Sequence, residues 1–115
     1  MKFLWTIKNY LNGLFYPEAK IFKTQNVIEL PNTLDIESIY LVGENGNVWS
    51  IAFICPCGCD ELIQLNTLRN IRPCWRINKM NPISIFPSIN RTVGCKSHFF
   101  IRKGKIIWIH DSPVQ

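Results

Sequence analysis

Two kinds of hydrophobic pattern divide the chain. In the N-terminal stretch Phe3, Leu4, Ile7, Leu11, Leu14 and Phe15 recur at near-helical spacing, with Lys8, Asn9 and Asn12 between them. This spacing predicts one amphipathic helix within residues 1–16, ended by Gly13 or by the turn before Pro17, whose apolar face packs on the rest of the domain. From Ser38 the pattern becomes β-type. Ile39-Tyr40-Leu41-Val42 and Val48–Ile54 flank Glu44-Asn45-Gly46-Asn47, and an Asn-Gly step between two such runs predicts a hairpin, because both central residues of the favoured turn need positive φ. A second hairpin is predicted from Phe99-Phe100-Ile101, Arg102-Lys103-Gly104 and Lys105–Ile109. Shorter strands are expected at Val27–Leu30, Ile63–Leu65, Trp75–Ile77 and Ile83–Phe86, separated by loops rich in turn residues.

The predicted fold is therefore mainly β: a small, zinc-ribbon-like domain of hairpins with one N-terminal helix. Length agrees, since 115 residues make one domain and two halves would each be too small to bury a core. The expected organisation is a single zinc-binding domain over 1–115, with residues 38–109 as its motif-bearing core. Hydrophobic residues at 47% against 18% charged exclude a disordered chain. The formal charge of +5 is compatible with an acidic partner or with solubilising surface charge, and decides nothing alone. Lys8, Asn9 and Asn12 interrupt the first apolar run, and no stretch reaches the length of a membrane span. With an odd count of five cysteines, three of them within five residues, the expectation is a cytoplasmic protein with reduced thiols.

Those cysteines carry the first chemistry. Cys55-Pro56-Cys57-Gly58-Cys59 ends one predicted hairpin, and Cys95-Lys96-Ser97-His98 opens another. An extended strand would hold the first three sulfurs too far apart for one ion, so a tight turn at Gly58 is required for them to converge. Zn2+ takes four such ligands in a tetrahedron, and five candidates are present: Cys55, Cys57, Cys59, Cys95 and His98. An iron–sulfur cluster would use the same residues, and buried thiols without metal are the plain alternative. If three cysteines and His98 hold the metal, the site is closed; if four cysteines hold it, His98 is available as a base. Cys74 lacks a nearby partner and reads as a core or loop thiol, and His110 reads as a surface residue.

Taken in order, Cys55-x-Cys57-Gly58-Cys59, Trp75, Pro87-Ser88-Ile89, Cys95-x-Ser97-His98-Phe99-Phe100-Ile101 and Gly104-x-Ile106-x-Trp108 resemble a family of small bacterial and phage zinc-binding proteins of unknown function. Some of its members are encoded in operons for bacterial ubiquitin-like conjugation. The resemblance covers roughly residues 38–109. It implies a role near ubiquitin-like proteins, either processing their tails or removing them from conjugates. In that role Ser88 would be the nucleophile and His98 its general base, with backbone N–H groups around Ser88 and Ile89 as the oxyanion hole. Asp60, Glu61 and Asp111 are undistinguished candidates for a third, orienting group. Ser97 is a weaker rival nucleophile, since a residue adjacent to His98 points to the opposite face of a strand.

A hydrolase predicts Ser88 within hydrogen-bond reach of a His98 that is not on the metal, beside a cleft for an extended peptide. The competing function is a non-enzymatic zinc ribbon that binds nucleic acid or a partner protein. For nucleic acid, Arg69, Arg72, Trp75, Arg76 and Lys79 interleave an aromatic ring with cations, as a stacking and phosphate surface does. That function predicts His98 on the metal and a continuous basic patch.

Overall fold

Strand pairing in the computed structural model, which describes residues 21–109, produces two four-stranded sheets. The first has the order β1 (Lys23–Val27), β2 (Ser38–Glu44), β3 (Asn47–Ile54), β4 (Leu62–Asn66). The second has the order β5 (Arg76–Met80), β6 (Ile83–Asn90), β7 (His98–Arg102), β8 (Lys105–Trp108). All neighbours are antiparallel except β1 and β2, which run parallel. The N-terminal helix expected over 1–16 lies outside the described residues.

The two hairpins form where the turn chemistry predicts them. Asn45 and Gly46 have φ of 55° and 81°, and Lys103 and Gly104 have 53° and 76°, the paired positive values whose twist matches that of the flanking strands. Strand alternation then sets the core. Ile39, Leu41, Ile51, Phe53, Ile63 and Leu65 of the first sheet meet Ile83, Ile85, Ile89, Phe99 and Ile101 of the second in one buried cluster. Phe53 and Phe99 meet edge to face across the sheets at 6.3 Å, an arrangement worth about 1 kcal/mol beyond the area it buries. The hairpins are thus parts of two sheets packed face to face, a larger frame than a ribbon built on metal alone.

Three elements differ from their predicted positions. β1 ends at Val27, where the expected strand begins, because it is held by its parallel register from Lys23↔Ser38 to Val27↔Val42 and not by apolar alternation. Its residues Lys23, Gln25 and Asn26 are exposed at a sheet edge, so no hydrophobic period marks them. β5 starts one residue late, at Arg76. β6 runs on past Phe86 to Asn90, carrying Pro87-Ser88-Ile89 into the sheet.

Candidate functional site

The first site is built by two turns. After β3 the chain folds back at Gly58, with φ of 97°, and Gly58 N donates to Cys55 O at 3.5 Å. Gly94 and Lys96, with φ of 70° and 56°, make the second turn just before β7. Together they bring the sulfurs of Cys55, Cys57, Cys59 and Cys95 within 4.8 Å of one another. Cys55 Sγ lies 3.5 Å from Cys57 Sγ and 3.7 Å from Cys95 Sγ. Those separations are far too long for a disulfide, and they approach the edge of about 3.8 Å of a tetrahedron of thiolates around zinc. Cys55 is buried, Cys57 is exposed, and Cys59 and Cys95 lie between, so the cluster closes the edge of the core. Cys74 stays apart, with its Sγ directed to Trp75 O at 3.8 Å.

Electrostatics of the cluster also fit a cation. Hydrogen bonds from the Ser97 hydroxyl and backbone hold the Cys95 thiol down at about 6, and the same hydroxyl, with Cys59, lowers Cys57. Burial raises Cys55. Cys59 is pulled down by the backbone at Glu61 but pushed up to about 12 by burial and by Cys57, Cys55 and Cys95. Four crowded sulfurs therefore resist losing all their protons unless a positive charge compensates. Arg91 supplies part of one, with Nη1 at 3.9 Å from Cys59 Sγ and 3.8 Å from Cys95 Sγ, and Nη2 paired to Glu61 at 2.8 Å. The four cysteines fit a metal ion as a complete soft-donor set, and the donor types alone do not single out zinc.

The second site lies on the outer side of the second sheet. Ser88 Oγ and His98 Nε2 share a hydrogen bond of 3.0 Å. The pairing of β6 with β7 explains the contact. Ile89 partners Phe99 and Asn90 partners His98, so regular pairing would set Ser88 opposite Phe100. The register shifts between Ile85 and Ile89, where Phe86, Pro87 and Ser88 together face the single residue Phe100. Pro87 has no N–H to give to the ladder, and such a bulge re-aims the side chain that follows. The Ser88 carbonyl in turn accepts the indole N–H of Trp75 at 3.2 Å.

His98 is not a member of the four-cysteine cluster. Of the carboxylates considered for an orienting role, Glu61 is engaged by Arg91, Asp60 is exposed in a turn with φ of 65°, and Asp111 lies outside the described residues, as does His110. Ser97 belongs to the thiol cluster, with its Oγ 3.1 Å from Cys95 Sγ. Sequence reasoning missed the part played by Trp75 and Arg91, since neither contact has a local signature. In the stretch from Arg69 to Arg76 the Trp75 indole N–H is turned to Ser88 O and Arg72 Nη1 donates to Arg69 O at 2.8 Å, and these contacts lend no support to a nucleic-acid surface. No helix among the described residues is long and apolar enough to cross a membrane.

The described residues thus form a β scaffold with a hydrogen-bonded serine–histidine pair on one sheet and, beside it, a four-thiol cluster compatible with a metal site. The chain belongs to the family described as the bacterial ubiquitination-like system serine protease (BubE), whose model matches residues 26–109. That match bears out the resemblance drawn from the ordered motifs and extends it to the end of β1. No curated protein and no solved structure matches the chain.

Proposed function

We propose that this chain is a Ser88–His98 peptidase that cleaves at the C-terminal tail of a ubiquitin-like protein, in a precursor or in a conjugate. The observation that carries it is the 3.0 Å contact between Ser88 Oγ and His98 Nε2, made while four cysteines supply a complete ligand set without the histidine. The family description, a protease of a ubiquitination-like system, supplies the substrate class.

In this mechanism His98 Nε2 takes the Ser88 hydroxyl proton as Oγ attacks the carbonyl carbon of the scissile bond. The backbone N–H of Ser88 is the donor proposed for the resulting oxyanion, since Ile89, two residues from the bonded pair Arg91 and Ser97, turns its own N–H to Phe99 in the β6–β7 ladder. His98 returns its proton to the leaving amine, and water, deprotonated by the same imidazole, hydrolyses the acyl-serine. Cys55, Cys57, Cys59 and Cys95 would hold Zn2+, which supplies a closed structural crosslink with no open position for chemistry. The crosslink ties the β3–β4 turn to the turn before β7, and so fixes the strand that carries His98.

The test is cleavage of the ubiquitin-like protein encoded by the same system, bearing a C-terminal extension, followed by mass spectrometry. Release of the extension by the wild type and not by Ser88→Ala supports the proposal. No cleavage, together with no labelling of Ser88 by a fluorophosphonate, would leave a non-enzymatic module that binds a partner.

A further inference from the structure

β4 forms the edge of the first sheet, and the direction of its backbone groups follows from two hydrogen bonds at its ends. Cys55 N donates to Glu61 O at 2.8 Å, and Thr67 N donates to Trp49 O at 3.2 Å. In an antiparallel pair such bonded residues alternate with residues whose N–H and C=O point the other way. With Ile54↔Leu62 and Ala52↔Gln64 in register, Leu62, Gln64 and Asn66 direct their backbone groups away from β3. Asn66 O is already taken by Trp75 N at 2.8 Å. Among the described residues nothing bonds the N–H or C=O of Leu62 or Gln64.

These four groups border a groove of about 260 Å³ whose walls include Leu62, Gln64, Trp75, Ile89, Asn90 and Arg91. Ser88 and His98 do not line the groove, but two of its wall residues are their immediate neighbours. Trp75 Nε1 donates to Ser88 O, and Asn90 is the Cα partner of His98 across β6 and β7. An open strand edge one residue layer from a candidate nucleophile is a geometry in which an extended peptide can bind by strand addition.

We propose that the free edge of β4 is the substrate subsite, where the extended tail of the ubiquitin-like protein pairs with Leu62 and Gln64 and is led to Ser88. This rests on the peptidase reading above. The occupant is one short strand and not a second copy of this chain, because Trp75 seals the edge at Asn66 and leaves only two residues' worth of backbone to pair. Main-chain pairing supplies affinity without requiring large side chains in the tail.

The experiment uses a synthetic peptide of that tail. Added to full-length Ser88→Ala protein, it is expected to slow amide exchange at Leu62 and Gln64. Gln64→Pro removes one outward N–H that takes no part in pairing with β3, a substitution edge strands accommodate. It should raise KM for tail cleavage by about fivefold, the worth of one hydrogen bond, with kcat retained. Protection confined to other residues, or an unchanged KM in Gln64→Pro, overturns the proposal. So does concentration-dependent protection of the same amides without peptide, which would mean that two copies pair there. If the peptide protects Leu62 and Gln64 but wild-type protein neither cleaves it nor is labelled at Ser88, the peptidase reading fails and the binding edge stands.

Discussion

Ser97 and His98 are consecutive, yet their side chains serve different centres: Ser97 Oγ lies 3.1 Å from Cys95 Sγ, and His98 Nε2 lies 3.0 Å from Ser88 Oγ. Strand alternation separates them at the entry to β7. A single peptide bond therefore links the thiol cluster to the proposed general base. Disturbance of the cysteine turn should reach the histidine directly, whereas loss of Ser88 should leave the cysteines untouched.

Ser88→Ala and His98→Gln are each expected to lower tail cleavage by about a thousandfold or more, because a serine without its imidazole is a weak nucleophile at neutral pH. Metal content and thermal midpoint should stay near those of the wild type. Kinetics, metal analysis and calorimetry on the same preparations check this, and full activity in Ser88→Ala would exclude the serine mechanism.

Trp75→Phe keeps most of the ring and deletes the N–H that holds Ser88 O at 3.2 Å. The expected loss is about 1 kcal/mol, close to fivefold in kcat/KM, with the larger part in kcat if the indole positions the nucleophile. A variant whose kcat is unchanged would show that the indole serves packing only.

Cys55→Ser should remove the bound metal and lower the thermal midpoint strongly, since binding energy at a structural site is folding energy. Cys74→Ser should retain full metal stoichiometry, because its sulfur is not among the four that converge. Metal quantified by mass spectrometry decides between them, and equal loss in both variants would contradict the ligand set.

Thiol reactivity of metal-stripped protein should separate by position. Cys95, held down at about 6 by Ser97, should be alkylated by iodoacetamide fastest at pH 7. Its rate should climb as pH rises through about 6 and then level off, because the thiolate is the reacting form and is fully present above that value. Cys59, at about 12, should be the slowest of the four and should still be accelerating at pH 9. Peptide mapping after brief alkylation reads the order, and Cys59 reacting first would refute it.

The cysteine turn and the two hairpins were legible because their signals are local. Asn45-Gly46 and Lys103-Gly104 specify turns through φ, and the spacing of Cys55, Cys57 and Cys59 around Gly58 requires the turn that is seen. The ordered motifs also pointed to the family. Other features were not legible. β1 is a polar edge strand made by its neighbour, and Pro87-Ser88-Ile89, which reads as a loop, is a bulged strand.

Alternation, turn residues and ligand spacing thus determined a β-rich chain with five candidate ligands, Cys55, Cys57, Cys59, Cys95 and His98, for one metal site, while the family resemblance nominated Ser88 and His98 as nucleophile and base. Only the tertiary structure decided that the hairpins pack as two sheets, that Trp75 is turned to Ser88, and that His98 stands off the thiol cluster. The reason is register. A shift of one or two residues in the pairing of β6 with β7 sets whether Ser88 meets His98 or Phe100, and register is fixed by contacts between strands and not by either strand's own sequence.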